Sequence, residues 1–62
     1  MFIEFSRDGE KISFNREHIE AFRKYRCEGD KTVMFIGVGN STKEEIVDQS
    51  YEEVKAIMAN RD

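Results

Sequence analysis

Between Met1 and Phe14 apolar and polar residues alternate: Ile3, Phe5, Ile12 and Phe14 share one parity pattern, with Glu4, Ser6, Lys11 and Ser13 between them. A period of two is the mark of a strand with one buried face. The two runs are separated by Arg7-Asp8-Gly9-Glu10. Asp-Gly between alternating runs specifies a two-residue hairpin loop, because both central residues must accept a positive φ. Such a loop leaves one register. Arg7 then faces Glu10, Phe5 faces Ile12 and Ile3 faces Phe14, so opposite charges meet at the mouth and apolar pairs line one face.

The period then changes. Asn15-Arg16-Glu17-His18-Ile19 reads as a helical turn with Asn15 as its side-chain cap. Beyond it two readings compete. Ile19, Phe22 and Tyr25 stand at helical spacing, and Gly29 could end a helix running from Arg16 to Glu28. Alternatively one turn is followed by a strand from about Ala21 to Cys27, joined to the next strand by Glu28-Gly29-Asp30-Lys31. The strand is preferred, since a lone helix here leaves the central strand short of partners. In that register Ala21, Tyr25 and Cys27 share a face with Val38, Met34 and Thr32.

Thr32-Val33-Met34-Phe35-Ile36-Gly37-Val38 is the longest stretch in which apolar residues follow one another without a charge between them, as a central strand covered on both faces requires. Gly39-Asn40-Ser41-Thr42 is a turn, and Lys43 to Asp48 returns as a strand. A four-residue loop sets Val47 opposite Met34 and Ile46 opposite Phe35. Ser50-Tyr51-Glu52-Glu53 matches the capping box and opens a helix whose stripe is Tyr51, Val54, Ile57 and Met58. The sum is an α+β fold in one domain, 1–62, ordered β-β-turn-β-β-β-α. A small antiparallel sheet of four to five strands carries the C-terminal helix on one face. Met34, Ile36 and Val38 belong under that helix, and Val33 and Phe35 project to the other side.

Composition narrows the function more than it names one. Sixty-two residues, 39% hydrophobic and 37% charged with seven aromatics (five Phe, two Tyr), make a globular chain with a thin core, for which a second copy or a partner is useful cover. A net charge of −3 argues against a dedicated nucleic-acid binder and against adhesion to anionic membranes. A single cysteine forms no internal disulfide, which suits a reducing cytoplasm. No apolar run reaches the roughly 18 residues of a membrane span, and Glu4, Arg7 and Asp8 interrupt the stretch where a signal peptide needs an uncharged core. A soluble cytoplasmic protein is expected.

One resemblance emerges from these segments. The Gly-containing hairpin, Phe14-Asn15-x-x-His18-Ile19-x-x-Phe22, Thr32-Val33-Met34 and Val47-x-x-Ser50-x-Glu52-Glu53-Val54-x-x-Ile57 are similar to the pattern of small bacterial and phage proteins of the FlbD/SwrD-like kind. What the resemblance implies is a strand, an Asn-led turn, an antiparallel sheet and a closing helix. Its motifs specify turns, caps and core positions, not chemistry.

No residue set reads as a catalytic, cofactor or metal site. His18 and Cys27 lack a third group to orient the imidazole, and as two ligands they are too few for zinc. Glu44/Glu45 and Glu52/Glu53 are adjacent pairs whose side chains diverge. Gly37-Val38-Gly39 does not open a helix and lacks the third glycine of a dinucleotide loop. Arg16, Arg23, Lys24 and Arg26, interleaved with Phe22 and Tyr25, form a basic-aromatic segment that could follow a phosphate backbone. The leading expectation lies elsewhere. In the predicted register Phe2, Phe22, Val33, Phe35 and Ile46 share the sheet face away from the helix, beside Lys24 and Arg26. An apolar face rimmed by charge marks an interaction site, and here a homodimer interface or the docking face for another protein. The expected function is therefore a non-enzymatic, regulatory protein-binding module, with nucleic-acid binding as the alternative.

Overall fold

The computed structural model describes residues 1–60. Five antiparallel strands and one C-terminal helix make up the α+β fold: β1 (Phe2–Arg7), β2 (Glu10–Asn15), a 3-10 turn (Arg16–His18), β3 (Ile19–Lys24), β4 (Thr32–Val38), β5 (Ser41–Val47) and α1 (Tyr51–Ala59). The strands divide into two sheets, β1-β2 and β3-β4-β5. The hairpin bends over the three-stranded sheet, and helix and hairpin together close its inner face.

The hairpin has the register that its turn dictates, with Ile3↔Phe14, Phe5↔Ile12 and Arg7↔Glu10. Asp8 and Gly9 carry the two positive φ angles, 52° and 83°. Asn15 caps the turn by accepting from the Glu17 N–H at 3.0 Å. At the other end Ser50 and Glu53 complete a reciprocal capping box, with Ser50 Oγ accepting from the Glu53 N–H and the Glu53 carboxylate accepting from the Ser50 N–H. A cap of this kind stabilises a helix by about 1 kcal/mol.

One core results. Ile3, Phe5, Met34, Ile36, Val47 and Val54 are buried together, with Ile12, Phe14, Ile19, Phe22, Ile57 and Met58 packed around them. Phe5 stacks tilted on Phe14 at 5.9 Å. Thr32, fully buried, donates its hydroxyl to the Gln49 carbonyl at 2.8 Å, so the one buried polar side chain among the described residues is satisfied. Gln49 also ties the sheets together. Its side-chain oxygen accepts from the Ser6 N–H at 3.0 Å, and the neighbouring Asp48 N–H donates to the Ser6 carbonyl at 2.7 Å. Beside this seam Glu45, on the inner face opposite Met34, is held between Arg7 and Lys43.

Two registers differ from the predicted ones, and they differ in kind. Between β4 and β5 the loop is two residues long, so Val47 faces Thr32 and Ile46 faces Val33. The slip is even, and every side chain keeps its face. Between β3 and β4, Lys24 faces Thr32 and Phe22 faces Met34. Here Tyr25 to Lys31 form a wide loop closed by the Tyr25 N–H on the Lys31 carbonyl at 3.0 Å. The strand ends at Lys24, not Cys27, and this slip is odd, so β3 turns over. Phe22 consequently belongs to the core, 5.6 Å from the Tyr51 ring, and not to the outer face. Val38, expected under the helix, pairs with Ser41 beside the turn and is 55% exposed.

Candidate functional site

The outer face of β3-β4-β5 can be read as rows across the sheet, because partners in an antiparallel pair point the same way. One row is Arg23–Val33–Ile46, the next Ala21–Phe35–Glu44, and the third is occupied by Gly37 and Thr42. Glu20, displaced from the ladder by the bulge between Ile19 and Ala21, fills out this third row. Its carboxylate crosses β4 and accepts from the Thr42 hydroxyl at 3.0 Å. Gly37 permits the crossing: a Cβ there would lie 2.6 Å from Glu20 Oε2.

Phe35 holds the middle of the face. Its ring is half-buried, and the Arg23 guanidinium lies over it at 5.7 Å from the centroid. Val33 is only 2% exposed and Ile46 is half-buried, so Phe35 stands in a shallow apolar floor, with the half-buried Tyr25 in the groove beside Ile46. None of Val33, Phe35 and Ile46 belongs to the core cluster. Arg23 stands on one flanking strand and Glu44 on the other, which gives the face a basic side and an acidic side.

Not all of the predicted interface residues come together. Val33, Phe35 and Ile46 do. Phe22 lies on the inner face, Phe2 is 70% exposed at the start of β1 in the other sheet, Lys24 alternates away from Arg23, and Arg26 is in the β3–β4 loop. Arg23 is the residue that the sequence reading left out of this face, because the odd register slip brings it there in place of Phe22.

The basic-aromatic segment disperses likewise. Arg16 donates to the Met58 and Asn60 carbonyls, satisfying acceptors that the helix C-terminus leaves open. Arg23 and Lys24 point to opposite faces, so the four cations do not share one surface. His18 and Cys27 lie beyond opposite ends of β3, a strand about 20 Å long. Among the described residues no cluster of three metal-ligating side chains is present.

Two shallow grooves border the sheet. One of about 450 Å³ runs between Glu17, His18 and Glu20 and the Ile36-to-Gly39 end of β4. The other, about 340 Å³, is lined by charged groups around Lys31 and by Ile46. Lys31 bridges Glu28 at 3.4 Å and Asp48 at 3.7 Å, and its pKa is raised, chiefly by the bond to Glu28. The Asp48 carboxylate accepts from the backbone N–H groups of Gly9 and Asp8, which hold its pKa below the usual carboxylate value. Lys31, Asp8, Glu28 and Asp48 are partnered with one another or with the hairpin backbone, so this cluster serves to fasten the hairpin turn to the end of β5, while Glu44 in the same groove carries no ion pair among the described residues. The Tyr25 phenol nearby is pushed up, mainly by Cys27.

No helix among the described residues is long and apolar enough to cross a membrane. No family model, no curated protein and no solved structure matches the chain, so the likeness to FlbD/SwrD-like proteins rests on its motifs alone.

Proposed function

We propose that the chain is a small, cytoplasmic, non-enzymatic module that exerts a regulatory effect by binding protein, and that the outer face of β3-β4-β5 is its contact surface. The observation that carries this reading is Phe35, a half-buried aromatic at the centre of a sheet face, outside the core, with the Arg23 guanidinium over its ring. Phenylalanine and arginine are both enriched at the cores of protein interfaces relative to the rest of the surface. Supporting it, the helix and hairpin are both spent on the inner face, and the polar clusters elsewhere are satisfied internally.

The test is Phe35→Asp. Because the residue lies outside the core, the variant keeps the wild-type circular dichroism spectrum and loses association, measured by sedimentation equilibrium. A variant that unfolds would place Phe35 in the core, and one that associates like wild type would place the contact elsewhere. Retention on heparin with a steep salt dependence would instead favour nucleic acid as the ligand.

A further inference from the structure

Resting on that reading, we infer that the occupant of the outer face is a second copy of this chain, related by a twofold axis that runs along β4. The distribution of charge selects both the occupant and the axis. An isologous contact must be self-complementary, and this face carries its cation, Arg23, on β3 and its free anion, Glu44, on β5, one to each side of the central strand. Rotation about β4 lays β3 of one copy over β5 of the other. Each Arg23 then lies within one row of the partner's Glu44, and two such pairs form. Phe35, on the axis, meets its own image and stacks against the partner's Phe35. Offset stacking of this kind is favourable at the roughly 10 Å spacing of packed sheets.

An axis across the strands through Phe35 is disfavoured on the same grounds. It leaves β5 over β5 and sets the two Glu44 carboxylates against each other. Glu20 reaches across β4 to Thr42, which draws its carboxylate away from the β3 side over which the partner's Arg23 would then lie.

The dimensions fix the strength. A seven-residue β4 is about 23 Å long, and three strands span about 14 Å. The flat footprint is therefore on the order of 300 Å² per copy, which leaves the total burial at the small end of the scale where encounters are weak and transient. A dissociation constant of roughly 0.1–1 mM is expected. The dimer is one that forms where the chain is locally concentrated.

The experiment is sedimentation equilibrium from about 10 µM to 2 mM on wild type, Arg23→Glu, Glu44→Arg, the double variant and Phe35→Asp, each first checked for fold by circular dichroism. Wild type is expected to dimerise; each single reversal weakens it at least tenfold, and the double reversal returns it to within about threefold of wild type. If wild type dimerises and Phe35→Asp does not, yet the double variant stays as weak as the singles, the axis along β4 is wrong while the face reading stands. A wild type that is monomeric at 2 mM overturns the second copy as occupant and leaves the face to a different protein. Dimerisation of Phe35→Asp at wild-type strength overturns the face itself.

Discussion

Phe22 and Phe35 are both half-buried phenylalanines on neighbouring strands, and the fold assigns them opposite roles. Phe22→Ala removes a ring from the core cluster and from its 5.6 Å contact with Tyr51. A fully buried Phe→Ala costs about 3–5 kcal/mol. Half of that, with about 0.5–1.5 kcal/mol for the aromatic pair, gives about 2–4 kcal/mol. Phe35→Ala opens no enclosed cavity, since water fills the space, so only a partial transfer term and the exposed Arg23 contact are lost. That is about 1 kcal/mol. A chain of 62 residues has about 3–9 kcal/mol in all, so the first variant loses a large part of its stability. Thermal melts followed by circular dichroism at low micromolar concentration, where association does not contribute, separate the two. Phe22→Ala should drop Tm by about 10–30 °C and Phe35→Ala by about 5 °C. If Phe35→Ala is the more damaging, β3 lies in the register that puts Phe22 outside, and the outer face as described does not exist.

Other perturbations address the seam and the titratable clasp. Thr32→Val keeps the shape of the buried side chain and removes its bond to the Gln49 carbonyl, which should cost about 1–2 kcal/mol in a urea melt with the slope unchanged. Asp48 has a folded pKa below its unfolded value, so the stability it contributes is present above about pH 4 and is lost as the pH falls through the folded pKa. Asp48→Asn should therefore be less stable than wild type at pH 7 and show a smaller further loss between pH 4 and pH 2 in chemical denaturation. Equal acid sensitivity in the two proteins would assign the acid response to other carboxylates.

How far the sequence reaches depended on the connections. In β1-β2 the Asp8-Gly9 loop admits one register, and the structure has it to the residue. The Asn15 cap of the 3-10 turn and the capping box of α1 are legible for the same reason: each is a local bond between a side chain and a backbone group a few residues away. The β4–β5 loop was read two residues too long, but a slip of two preserves parity, and Val47 stays inside. The β3–β4 connection failed because Gly29-Asp30 is turn-like without being the hairpin loop; the chain closes earlier, at Tyr25 and Lys31. The odd slip set by this loop exchanged Phe22 for Arg23 on the outer face, and the bulge at Glu20, which no local signal announces, keeps Ile19 opposite Ile36 on the inner face. The splitting of the five strands into two sheets was also beyond reach, because Gln49 and Asp48 reach Ser6 across more than forty residues.

What the whole reading depends on is that the outer face is a contact surface, and one comparison addresses it directly: sedimentation equilibrium of wild type and Phe35→Asp at 0.5–2 mM with circular dichroism of both. Superimposable spectra, a wild-type mass rising toward the dimer and a variant mass that stays at the monomer are expected. A variant that associates as strongly as wild type, or one that has lost its fold, would contradict it.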